Sequence, residues 1–147
     1  GGPWRLIRTF LKMPLKQKLM IPQIFMLMAY YKNRVHRHPF AELAPKIGQL
    51  GFETPVEASP RNAWLVHELM ESMFRRIGWK DSCLIRALTA KKLLNRMGEK
   101  CTLYMGVRKR EGEGLSAHAW LRCGKLTVTG GEIKDEYTVT AVFGDQN

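Results

Sequence analysis

Apolar positions along this chain repeat first with a helical period and later with a period of two. Residues 4–13 read as a short helix stopped by Pro14. A longer helix is expected over about 16–34, kinked or started at Pro22. Another is expected over 40–50, followed by a loop, GFETPVEAS. Ser59 and Pro60 mark the next start, a capping hydroxyl followed by proline at the first helical position. From there Ala63, Val66, Leu69, Met70, Met73, Phe74 and Ile77 recur at helical spacing until Gly78. The stretch WKDSCLIRALTAKKLLNRMG then places Asp81 or Ser82 to cap a helix that begins at Cys83. Leu84, Leu88, Leu93, Leu94 and Met97 form its inner face, Lys91, Lys92 and Arg96 face solvent, and Gly98 terminates it.

Beyond residue 100 the pattern alternates. Residues 101–108, 116–123, 125–129 and 137–143 read as strands, with Gly124 allowing a tight hairpin between the second and third. The expected fold class is α+β: an N-terminal helical subdomain followed by a four-stranded antiparallel sheet. Residues 1–58 form a basic helical region and 59–147 the core, one compact domain overall, as the length of 147 residues suits.

Charge sharpens this division. The chain has 24 Lys+Arg against 13 Asp+Glu, a formal net charge of +11. Eight of the basic residues precede Glu42, the first acid. Such a front suits an anionic partner or a membrane surface, or simply keeps a packed helix wetted at its ends. The apolar run at residues 19–31 is shorter than the roughly 20 residues a membrane span needs, and no signal-peptide cleavage site follows it. No helix-turn-helix, ribonucleoprotein or zinc-finger signature is present, so nucleic acid is not an expected partner. Three cysteines without a CxxC pair indicate neither a disulfide framework nor a zinc ribbon, and favour a reducing, cytoplasmic setting.

The chemistry concentrates on two residues. A thiol in the first turn of a helix meets unpaired backbone N–H groups and the positive end of the dipole, which favour thiolate. Cys83 is placed there, although packing cysteines occupy such positions too. His118 follows 35 residues later on a strand, between Ala117 and Ala119, small residues that let another element approach closely. Attack on an amide carbonyl requires a thiolate with an imidazole beside it to protonate the leaving amine. This helix-then-strand arrangement resembles that of papain-like and transglutaminase-like enzymes, so the expected α+β fold is of papain/transglutaminase type. Trp120, on the same strand face as His118, either shields the pair, lines a substrate groove or belongs to the core. Trp79 and Trp120 are the candidates for substrate contact. His67, Cys101 and Cys123 read as packing residues, and no second close ligand supports a metal at Cys83 and His118.

Together SCLIRALTAKKLLNRMG, TLYMGVRK, AHAWLRCG and VTGG…YTVTAVF resemble the leader peptidases of lasso-peptide biosynthesis, which are transglutaminase-like cysteine proteases. The resemblance runs from about Met13 to Phe143. It implies a cysteine endopeptidase that removes the leader from a ribosomally synthesised precursor before a separate ATP-dependent cyclase acts. It also implies three partners (the leader region of the precursor, a separate leader-recognition protein and the cyclase) and no cofactor. Cys83 matches the nucleophile and His118 the general base. The family pattern places an acid, usually Asp, about a dozen residues after the histidine, where this chain has Gly130. Glu132 is the nearest acid and the leading candidate for the third catalytic position. Asp135, the backbone or hydroxyl of Thr129, a water, another backbone group or a plain dyad are the alternatives. Acyl transfer or amidase chemistry with the same pair, and a non-catalytic peptide-binding module, are the alternative functions.

Overall fold

The computed structural model describes residues 2–77, 82–112 and 114–146, without the side chains of 76 and 77. Helices come first: α1 (Pro3–Lys12), α2 (Leu15–Arg37), α3 (Phe40–Ile47), α4 (Arg61–Ile77) and α5 (Cys83–Arg96). The strands are β1 (Gln49–Leu50), β2 (Thr102–Arg110), β3 (Gly114–Cys123), β4 (Leu126–Thr129) and β5 (Thr138–Gly144), with a 3-10 helix, Gly131–Glu136, before the last.

α2 neither starts nor stops at Pro22. Proline removes one i→i−4 bond, but Met20, Ile24, Leu27, Met28 and Tyr31 bury one stripe of the helix on both sides of it. Tertiary packing of that stripe outweighs the local defect. Gln17, also buried, donates from Nε2 to the Leu65 carbonyl at 3.0 Å and ties α2 to α4.

The sheet has five antiparallel strands among the described residues, in the order β1-β5-β2-β3-β4, rather than four. The addition is β1, two exposed residues paired with Phe143 and Gly144 of β5. Two residues carry no alternation to detect, and the helix expected over 40–50 gives way here. Gly48 permits the turn, since a Cβ there would lie 2.8 Å from the Gly144 carbonyl oxygen.

One sheet face packs on the helices. Leu103, Ala119, Leu121, Val128 and Phe143, with Cys101 and Cys123, meet α2, α4 and α5 in a shared core. α5 is the central helix, with Ala87, Leu88, Ala90, Leu93 and Leu94 all buried. Lys91, expected in solvent, is only 2% exposed. Its ammonium meets Asp145 at 2.6 Å, and the other Asp145 oxygen accepts from Asn95 and from the Cys101 backbone N–H. A carboxylate just beyond β5 thus draws a lysine inward.

Ser59 also departs from expectation. Its hydroxyl donates to the Cys123 carbonyl at 3.0 Å and accepts from the Leu126 N–H at 2.8 Å, so it clamps the β3–β4 hairpin. Gly124 (φ 63°) makes that approach possible, because a Cβ there would sit 2.7 Å from the Ser59 Cα.

Candidate active site

α5 opens at Cys83, with Ser82 in the N-cap position and the Ser82 carbonyl accepting from the Arg86 N–H. β3 presents His118 opposite Gly106 of β2. β4 pairs with β3 only as far as Thr129 opposite Leu121, after which the chain leaves the sheet at Gly130 in the left-handed conformation (φ 73°). That turn aims the Gly130 carbonyl at the imidazole, and His118 Nε2 donates to it at 2.8 Å. A carbonyl can only accept, so the proton of the neutral ring belongs on Nε2. Nδ1 is then the nitrogen with a free lone pair, the one left to serve the thiol.

The thiol of Cys83 and the imidazole of His118 share a hydrogen bond. Burial pushes the thiol up, but that bond, the N–H groups of Ala119 and Leu84 and the charge of His118 together hold it below its ordinary value. The same bond raises the imidazole above its ordinary value, against burial and with help from the Gly130 carbonyl and the Glu132 charge. Each group stabilises the ionised form of the other, which favours a thiolate–imidazolium pair.

Both groups open into a cleft of about 510 Å³. Met70, Phe74 and Arg86 form one wall, while Ala117, Ile133 and Tyr137 form another. Arg86, one turn along α5 from the thiol, lies over the Phe74 ring at 4.1 Å. Tyr137 packs against His118 with ring centroids 5.1 Å apart, and its hydroxyl meets Ser116 Oγ at 3.1 Å.

Glu132 lies on the 3-10 helix and lines the cleft, acting on His118 through its charge, while Nε2 donates its hydrogen bond to the Gly130 carbonyl. Asp135 lies away from this cleft, in a neighbouring one beside Trp120. Trp120 is buried and stacks between His118 and Tyr104, each 5.6 Å away by ring centroid. It backs the histidine from the Tyr104 side of the sheet and is not on the wall of the Cys83 cleft. Gly106 leaves room for its indole, since a Cβ there would meet ring atoms at 3.1 Å. Trp79, Gly78 and Asp81 lie outside the described residues.

Sequence reasoning named Gly130 only as the place where the expected acid is missing, and passed over Tyr137 and Arg86. Counting a dozen residues from His118 does reach Gly130, but an orienting main-chain carbonyl leaves no side-chain signature. His67 donates from Nδ1 to the Val128 carbonyl at 2.9 Å and braces α4 against β4. Among the described residues no three His, Cys, Asp or Glu side chains cluster as metal ligands.

Comparison with known proteins adds one match. A family model described as the transglutaminase-like superfamily covers residues 32–142, a span that holds Cys83, His118 and Gly130. No curated protein and no solved structure matches the chain. Helix-borne cysteine, strand-borne histidine and this family match agree: the chain belongs to the transglutaminase-like superfamily.

Proposed function

We propose that this protein is a cysteine endopeptidase that removes the leader from a ribosomally synthesised lasso-peptide precursor. The superfamily supplies the coarser part of this reading, since its members are typically cysteine proteases or acyl transferases. The observation that carries the chemistry is the hydrogen-bonded Cys83–His118 pair at the mouth of a cleft, with the thiol lowered and the imidazole raised. The leader-peptidase assignment rests on the sequence resemblance. With it come a separate protein that delivers the leader and a cyclase that takes the trimmed core, while the cysteine usage supports a cytoplasmic location.

In this reading the Cys83 thiolate adds to the scissile carbonyl carbon, and the carbonyl oxygen takes the negative charge. Collapse of that adduct breaks the C–N bond as the His118 imidazolium gives its proton to the departing amine. The neutral imidazole then takes a proton from water, whose oxygen attacks the thioester, and Cys83 leaves as thiolate. Gly130 holds the ring by Nε2 throughout, so Nδ1 shuttles the proton in both steps.

Mass spectrometry of the precursor, incubated with this protein and the recognition protein, tests the assignment. Wild type yields two fragments whose masses sum to the precursor plus one water, and Cys83→Ala and His118→Ala leave it intact. Continued release by Cys83→Ala removes the assignment. A product carrying an amine in place of water assigns acyl transfer instead.

A further inference from the structure

α1 buries none of its residues. Its sequence nevertheless segregates cleanly. At about 100° per residue, Trp4, Leu6, Ile7, Phe10 and Leu11 fall on one side, and Arg5, Arg8 and Lys12 fall on the other with Thr9. The five apolar side chains are between 46% and 74% exposed. The apolar surface continues on α2, where Leu15, Leu19 and Met26 share one stripe and are 59% to 72% exposed. Lys18 links the two helices, donating to the Leu11 carbonyl at 3.3 Å and lying over the Phe10 ring at 5.1 Å. No acid occurs before Glu42.

We propose that α1 and the exposed stripe of α2 dock the protein on an anionic lipid surface. α1 then lies in the headgroup layer, its apolar side chains toward the acyl chains and its basic ones against the phosphates. Among the described residues no helix is long and apolar enough to cross a membrane, so the helices lie on the surface and do not span it. Two features favour lipid over a soluble acidic protein. The apolar surface spreads over two helices, wider than the single helix face that a protein groove takes. Its basic rim contains no acid that would select one register, as suits a continuous sheet of negative charge. The inference is independent of the chemistry assigned to the Cys83 cleft.

Co-sedimentation of the full chain with vesicles tests it, using phosphatidylcholine alone and phosphatidylcholine mixed with phosphatidylglycerol, each at low and moderate salt. Wild type is expected to pellet with the anionic vesicles, less so as salt rises, and to stay in solution with the neutral ones. The double variant Ile7→Glu/Phe10→Glu lowers the partition coefficient at least about tenfold. Leu115→Glu, on an exposed residue of β3 far along the chain from this surface, leaves it unchanged. Since α1 buries nothing, the double variant keeps the fold, read as an unchanged rate of Cys83 alkylation by iodoacetamide. Failure of wild type to pellet with anionic vesicles overturns the proposal, as does equal pelleting of the double variant. Soluble polyglutamate serves as a second probe. Capture of wild type by it as tight as by vesicles assigns the surface to an acidic macromolecule instead. A dimer in sedimentation velocity that the double variant dissociates assigns it to a second copy.

Discussion

At the scale of single residues, the orientation of His118 depends on a glycine. Gly130 occupies a left-handed φ, and a Cβ there would lie 2.7 Å from the Ala119 carbonyl oxygen and 3.0 Å from His118 Nε2. Gly130→Ala is therefore expected to displace the carbonyl or the ring and to cut peptide cleavage about a hundredfold, the scale of a misplacement near 1 Å. Glu132→Gln removes a charge and no hydrogen bond to the ring, so cleavage falls by less than about tenfold. Comparing kcat/KM for the two variants checks the order; a larger loss in Glu132→Gln returns the orienting role to the carboxylate. The pH profile follows from the same pair. A lowered thiol pKa starts the thiolate–imidazolium window below the ordinary thiol range, and a raised imidazole pKa extends it above the ordinary histidine range. Iodoacetamide labelling of Cys83 should thus persist to lower pH than that of an unperturbed thiol near 8.5, and His118→Ala should move it back up. Cys83 and His118 were legible because helix-start and strand positions are encoded in side-chain patterns. Gly130 was not, since its contribution is a backbone atom.

Among the elements, α5 joins the site to the core. Its N-terminus carries the thiol, while Lys91 and Asn95 near its other end bind Asp145 beyond β5. Removing one partner of a buried ion pair leaves a charge uncompensated, which costs about 3 kcal/mol or more. Asp145→Ala also strips the acceptor from the Cys101 N–H. Urea denaturation should therefore show a loss of at least about 3 kcal/mol, against less than about 0.5 kcal/mol for Asp135→Ala on the exposed 3-10 helix. Most elements were readable from periodicity, including the cysteine helix and the four longer strands. The failures share a cause. β1, the inward turn of Lys91 and the start of α2 ahead of Pro22 rather than at it are each decided by a distant partner: β5, Asp145 and the core under α2.

Across the whole molecule, the basic front and the half that carries Cys83 and His118 divide by charge but not by packing. α2 sends Ile24 and Met28 into the same core as Leu93 and Leu121, while α1 sends nothing. Ile24→Ala should cost about 2–5 kcal/mol, as expected for a core aliphatic truncated to a methyl, and deletion of residues 2–12, which spares the partly buried Met13, should leave the melting temperature nearly unchanged. Calorimetry on both variants checks this; a large fall on the deletion would give α1 a structural role. The three thiols are also unequally placed, Cys83 part-exposed in its cleft and Cys101 and Cys123 sealed in the core. Thiol stoichiometry therefore becomes a built-in count of intact molecules. An aromatic disulfide reagent should register one fast thiol per native chain and all three in denaturant, so the slow phase times the opening of the sheet–helix interface without any added probe.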